Sequence, residues 1–166
     1  MPFDRDQIEA RLALDLIASA DMPQIAWDAL EAGLDGPATR RLAALEHPTH
    51  FEVAEVFPRV MQELRLAQIT TGQAALRMAK QIAREILSNG DDPLRHVRIF
   101  ESLWWRSGYA KEIETLGTLY DEVSIAQSTG RSDEQIREWI TSVINAMVGH
   151  RSFRHNLLTF IDLPHT

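Results

Sequence analysis

Apolar residues along this chain recur at spacings of three and four, and short polar residues interrupt the recurrence at regular intervals. The pattern predicts helices over 5–20, 22–33, 37–46, 50–66, 71–88, 93–106, 109–127 and 133–148. No alternating run of β-branched residues competes with them. The expected fold is therefore all-α: a single-domain helical bundle of about seven to eight helices spanning 1–166, with an irregular C-terminal tail.

Helix starts carry a repeated signal, a short polar residue followed three positions later by Glu or Gln. It occurs at Asp4/Gln7, Asp21/Gln24, Thr49/Glu52, Thr70/Gln73 and Ser132/Gln135. Asp92-Pro93 and Gly36-Pro37 add starts with proline in the first turn. Gly33, Gly90 and Gly149 mark ends, where a left-handed residue closes the last turn. Pro58 should kink or break 50–66, because it lacks an N–H and disfavours helical geometry at Phe57.

On a helical wheel, Ala75, Ala79, Ile82, Ala83 and Ile86 share one arc of 71–88, opposite Arg77, Lys80, Gln81 and Arg84. In 133–148, Ile136, Trp139, Ile140, Val143, Ile144 and Met147 form a single stripe. The segment 93–106 differs. Its apolar residues nearly encircle it, leaving only Arg95, Arg98, Ser102 and Arg106 as a polar strip, so it is the member the others should pack against. Of its adjacent tryptophans, about 100° apart on a helix, Trp104 is the core residue, and Trp105 lies either at the edge of the packed face or in the core with it. In 109–127 the stripe is Tyr109, Ile113, Leu116, Tyr120 and Val123. The tail after Gly149 is rich in apolar residues (Phe153, Leu157, Leu158, Phe160, Ile161, Leu163) and should pack on this core or on a second copy.

Composition narrows the chemistry. Apolar content of 45% and charged content of 25% are ordinary globular values. The absence of cysteine removes disulfides, thiolate metal sites and thiol catalysis together. No apolar run reaches the roughly 18 residues a membrane helix requires, and Met1-Pro2-Phe3-Asp4-Arg5-Asp6 has no secretory pattern, so a cytoplasmic protein is expected. The arginine- and alanine-rich usage suits a GC-rich bacterium. The net charge of −7 argues against nucleic-acid binding, which draws its affinity from cations on phosphates.

His47 and His50, with Glu52 and Glu55, are the densest set of metal-ligand types. Thr49 and Glu52 also form a capping box, which explains the cluster without a metal. Neither Glu-x-x-His nor His-Glu-x-x-His occurs, which sets aside a carboxylate-bridged di-iron centre and a zinc-peptidase helix. His150, Arg151, Arg154 and His155 follow a helix end, where the dipole favours cations. Arg77, Lys80, Arg84, Arg95 and Arg98 read as solvated helix faces. Residues 26–42 admit a helix-turn-helix reading with Arg40 and Arg41 on the second helix, against which stand Asp35, Pro37 and the acidic total. There is no nucleophile elbow and no phosphate-cradling glycine loop. Glu112, Glu114, Asp121 and Glu122 form the wet side of 109–127, or a docking surface for a basic protein.

Residues 79–93, Ala-Lys-Gln-Ile-Ala-Arg-Glu-Ile-Leu-Ser-Asn-Gly-Asp-Asp-Pro, precede an aromatic-rich helix. This block resembles one found in small all-helical bacterial proteins of uncharacterised role, some of immunity-protein type. The resemblance covers about a tenth of the chain. It implies a binding role and no active-site residues.

The resulting expectation is a non-enzymatic helical module, of immunity or adaptor type, that binds another protein or itself and carries no cofactor. Its candidate contacts are Trp105, Arg106, Tyr109, Glu112, Asp121 and Glu122. The alternatives are a metal- or small-molecule-dependent enzyme seeded at His47 and His50 with Glu52 or Glu55, and a DNA regulator reading through Arg40 and Arg41.

Overall fold

The computed structural model describes residues 3–149. Among these, α-helices and three short 3-10 turns make up the regular structure and no strand occurs. The class is all-α. Chain contacts divide into two compact units, Met1–Thr70 and Thr71–Thr166. The expected packing of the tail, and the cations His150, Arg151, Arg154 and His155, lie outside the described residues.

The first unit holds α1 (Arg5–Ala13), a 3-10 turn (Ser19–Asp21), α2 (Met22–Glu31), α3 (Pro37–Ala43) and α4 (His50–Glu63). Asp4 caps α1 by accepting the Gln7 N–H at 3.2 Å. α1 stops well short of the expected residue 20. Asp15 takes a left-handed φ of 53°, and the Leu16 N–H reaches back to the Arg11 carbonyl at 2.8 Å, closing the helix as a glycine usually would. Arg65, at φ 53°, ends α4 in the same way. Asp21 does not cap α2: it belongs to the preceding turn, in helical backbone geometry, and its side chain makes no capping bond. The capping box at α4 forms as expected, Thr49 accepting the Glu52 N–H and Glu52 accepting the Thr49 N–H. α4 then runs unbroken through Pro58, so of the expected kink or break the break does not occur. Pro58 and Ala54 are both solvent-exposed, so water can satisfy the Ala54 carbonyl that the missing N–H would have bonded. Val53, Val56 and Val60 of α4 pack with Ala26 and Ala29 of α2 and Leu42 of α3 in one apolar core.

The second unit holds α5 (Thr71–Asn89), a 3-10 turn (Pro93–His96), α6 (Val97–Arg106), a second such turn (Lys111–Ile113), α7 (Glu114–Gly117), α8 (Leu119–Ser128) and α9 (Asp133–Gly149). α5 buries a stripe of small residues, Gly72, Ala75, Ala79 and Ala83, which lets α6 and α9 approach closely. Asp92 caps the first 3-10 turn through the Leu94 N–H at 3.1 Å and holds Arg137 of α9 at 3.0 Å. That guanidinium keeps the Asp92 carboxyl below its ordinary range, against the effect of burial. Ser132 and Gln135 form the expected reciprocal cap of α9, whose Ile136, Ile140, Ile144 and Met147 are buried. α9 extends to Gly149, the last described residue.

Two expectations for this unit fail. α6 is not packed all round. α5, α7 and α8 cover only the side bearing Val97, Phe100 and Leu103, and Ile99 and Trp105 face solvent. The expected helix 109–127 is broken into three pieces. Gly108 and Tyr109 are both left-handed, at φ 72° and 61°, so Tyr109 lies outside any helix and leaves the apolar stripe. Farther on, the Thr118 hydroxyl bonds the Thr115 carbonyl and the Glu122 carboxylate at the α7–α8 junction, and Leu119 occupies the core.

Candidate protein-binding surface

Among the described residues, no three His, Asp or Glu side chains converge as a metal-ligand set. Each member of the 47–55 cluster is placed by local structure. His47 occupies a left-handed loop position at φ 49°. His50 opens α4 and lies edge-on to Phe51, which is 85% exposed. Glu52 is held by the Thr49 N–H and hydroxyl, both at 2.8 Å, and those bonds lower its carboxyl pKa. Glu55 pairs with Arg41 at 2.9 Å.

The arginines of α3 are likewise engaged. Arg40 holds Asp35 through two parallel bonds, which lowers the Asp35 pKa and raises that of Arg40. Arg41 is taken by Glu55. α3 therefore carries no unpaired cationic face of the kind a DNA reader needs. Its N-terminus is capped from a distance, because Gly36 at the cap position has no side chain. Glu63 of α4 accepts from the Ala38 N–H (3.0 Å), the Thr39 N–H (2.8 Å) and the Thr39 hydroxyl (2.8 Å). A Cβ on Gly36 would lie 2.2 Å from the Glu63 carboxylate, so the glycine makes room for it. Burial pushes the Glu63 pKa up, and the three donated bonds outweigh it, leaving the carboxyl below its ordinary range. Nothing in local spacing flagged Glu63, which is 24 residues away from Thr39.

The C-terminal end of α6 gathers three of the expected contact residues. Trp104 turns inward, half-buried. Its indole lies against Gly117, where an added Cβ would come within 2.3 Å of the ring, and its Nε1 is buried without a protein partner. Tyr109 packs edge-on against it at 5.0 Å between centroids. The helix closes through the Tyr109 N–H on the Trp104 carbonyl at 2.9 Å, which fixes the aromatic pair on the final turn. Trp105, 63% exposed, and Tyr109, 58% exposed, thus flank the same turn, and the exposed Arg106 lies between them in sequence.

The expected acidic contacts are not a single row. The Glu112 carboxylate lies over Gly72 in the first turn of α5, so close that a Cβ there would sit 2.8 Å from it. Glu122 is half-buried and accepts from the Thr118 hydroxyl at 2.9 Å. Asp121 is exposed on α8, near the exposed Ile125. Sequence reasoning missed Trp27, Phe51, Ile99 and Ile125 as exposed apolar residues. Trp27 borders an open groove of about 600 Å³ in the first unit, with Leu30, Asp35, Arg40 and Ala43. Among the described residues, no helix is long and apolar enough to cross a membrane.

No protein-family model, curated protein or solved structure matches this chain.

Proposed function

We propose that this chain is a non-enzymatic helical module, of adaptor or immunity type, that binds another protein through the C-terminal end of α6. One observation carries the reading: Trp105 and Tyr109 stand in solvent beside Arg106, on a turn that Trp104 anchors to the core. Large aromatic and arginine side chains held rigidly contribute disproportionately to interface energy, because little conformational freedom is lost when they dock.

The test is a comparative capture with the full chain. A partner retained by the parent protein and lost by Trp105→Ala and Tyr109→Ala, but kept by Phe51→Ala, supports the surface. Retention by all of these variants would place binding elsewhere. Turnover of a defined compound, abolished by His47→Ala or His50→Ala, would replace the reading with the enzymatic one.

A further inference from the structure

The outer face of α6 differs in charge from the chain as a whole. Its exposed residues are Arg98, Ile99, Ser102, Trp105 and Arg106, with the exposed Arg95 in the turn just before it. At about 100° per residue the five helical positions fall in a single arc. None is acidic, although the chain carries a net charge of −7. Glu101, the acidic residue of α6, is half-buried off this arc.

These cations are not neutralised as those of α3 are. Arg106 makes no ion pair among the described residues, and Arg95 acts on Asp92 only at a distance, that carboxylate being bonded to Arg137. Arg98 is held by an uncharged partner. It donates to the Tyr120 hydroxyl at 2.7 Å with its guanidinium 4.7 Å from the ring centroid, an arrangement that fixes its direction and leaves its charge unbalanced. The strip thus combines fixed positive charge with exposed Ile99 and Trp105.

The geometry points to an acidic protein segment as the occupant of this strip: carboxylates on Arg95, Arg98 and Arg106, and an apolar side chain against Trp105. The inference rests on the protein-binding reading and adds the chemistry of the partner. Bidentate carboxylate–guanidinium pairs suit arginine. A single-stranded nucleic acid would use the same arginines, but its bases need successive aromatic faces, and this strip offers Trp105 beside the aliphatic Ile99, which suits an apolar side chain.

Selection of random displayed peptides on the immobilised full chain tests this. Enriched sequences should combine Asp or Glu with an apolar residue. Their binding should weaken about tenfold or more with Arg106→Glu or Trp105→Ala, decline with salt, and persist in Arg40→Glu. Arg95→Ala and Arg106→Ala, checked for unchanged melting, guard against misfolding. Enriched peptides without acidic bias that still need Trp105 would overturn the acidic partner and leave the protein-binding surface standing. Failure to enrich any peptide, or preferential binding of oligouridylate or of phosphatidylserine vesicles, would overturn the inference.

Discussion

Helices α3 and α6 each expose arginines, and the fold treats them in opposite ways. On α3 every exposed cation has a carboxylate of its own, Asp35 for Arg40 and Glu55 for Arg41, and the helix start is closed by Glu63. On α6 and the turn before it, the charges of Arg95, Arg98 and Arg106 are left without a bonded carboxylate among the described residues, beside an exposed tryptophan. The lesson is that arginine on a helix face says little until its partners are known. α3 is satisfied within its own unit, whereas α6 is the face proposed to take a ligand from outside.

The sharpest way to break this contrast is Glu63→Ala. It would strand two N–H groups of α3 and the buried Thr39 hydroxyl, costing about 2 kcal/mol by analogy with lost caps and unsatisfied donors. Urea unfolding followed by circular dichroism reads it, and Gly36→Ala should destabilise in the same direction by displacing the carboxylate. Unchanged stability in both would mean that the cap contributes nothing.

In the second unit the comparable change is Gly117→Ala. Within a helix this substitution ordinarily stabilises, but here the methyl would meet the Trp104 ring, and overpacking costs about 1–2 kcal/mol. A lowered thermal midpoint, with exposure of Trp105 unaltered, would show that the aromatic turn is anchored as described.

Acid provides a gentler test. Glu63 and Asp92 both have pKa values lowered on folding from 4.5 and 3.8, so their contribution is present above those values and is lost as pH falls through the lowered ones. The melting temperature should therefore drop below pH 4.5, and Glu63→Gln should flatten part of that drop. An identical pH profile in that variant would remove Glu63 from the account.

The smallest effect on stability is expected from Trp105→Ala, within about 0.5 kcal/mol, since the side chain stands in solvent. Its effect on partner binding should be large. A substantial loss of stability would instead make Trp105 a packing residue and erase its difference from α3.

Much of the architecture was legible because it is written locally. Thr49/Glu52, Ser132/Gln135 and Asp4/Gln7 cap where the spacing says they should, since a cap needs only residues three apart. Gly33 and Gly90 likewise close α2 and α5. What failed were places where distant atoms decide. Asp15, Arg65 and Tyr109 take left-handed geometry without being glycine, so the sequence gives no warning that helices end there. The candidate surface was half legible: Trp105, Arg106 and Tyr109 could be named, but Ile99 as an exposed residue could not.

The sequence by itself determined that this protein is helical and where most of its helices begin, because periodicity and capping act over one or two turns. The tertiary structure alone decided which side of α6 is covered and which carboxylate meets which arginine. Those outcomes depend on residues far apart in the chain, Glu63 with Thr39 and Arg137 with Asp92, and no spacing rule relates them.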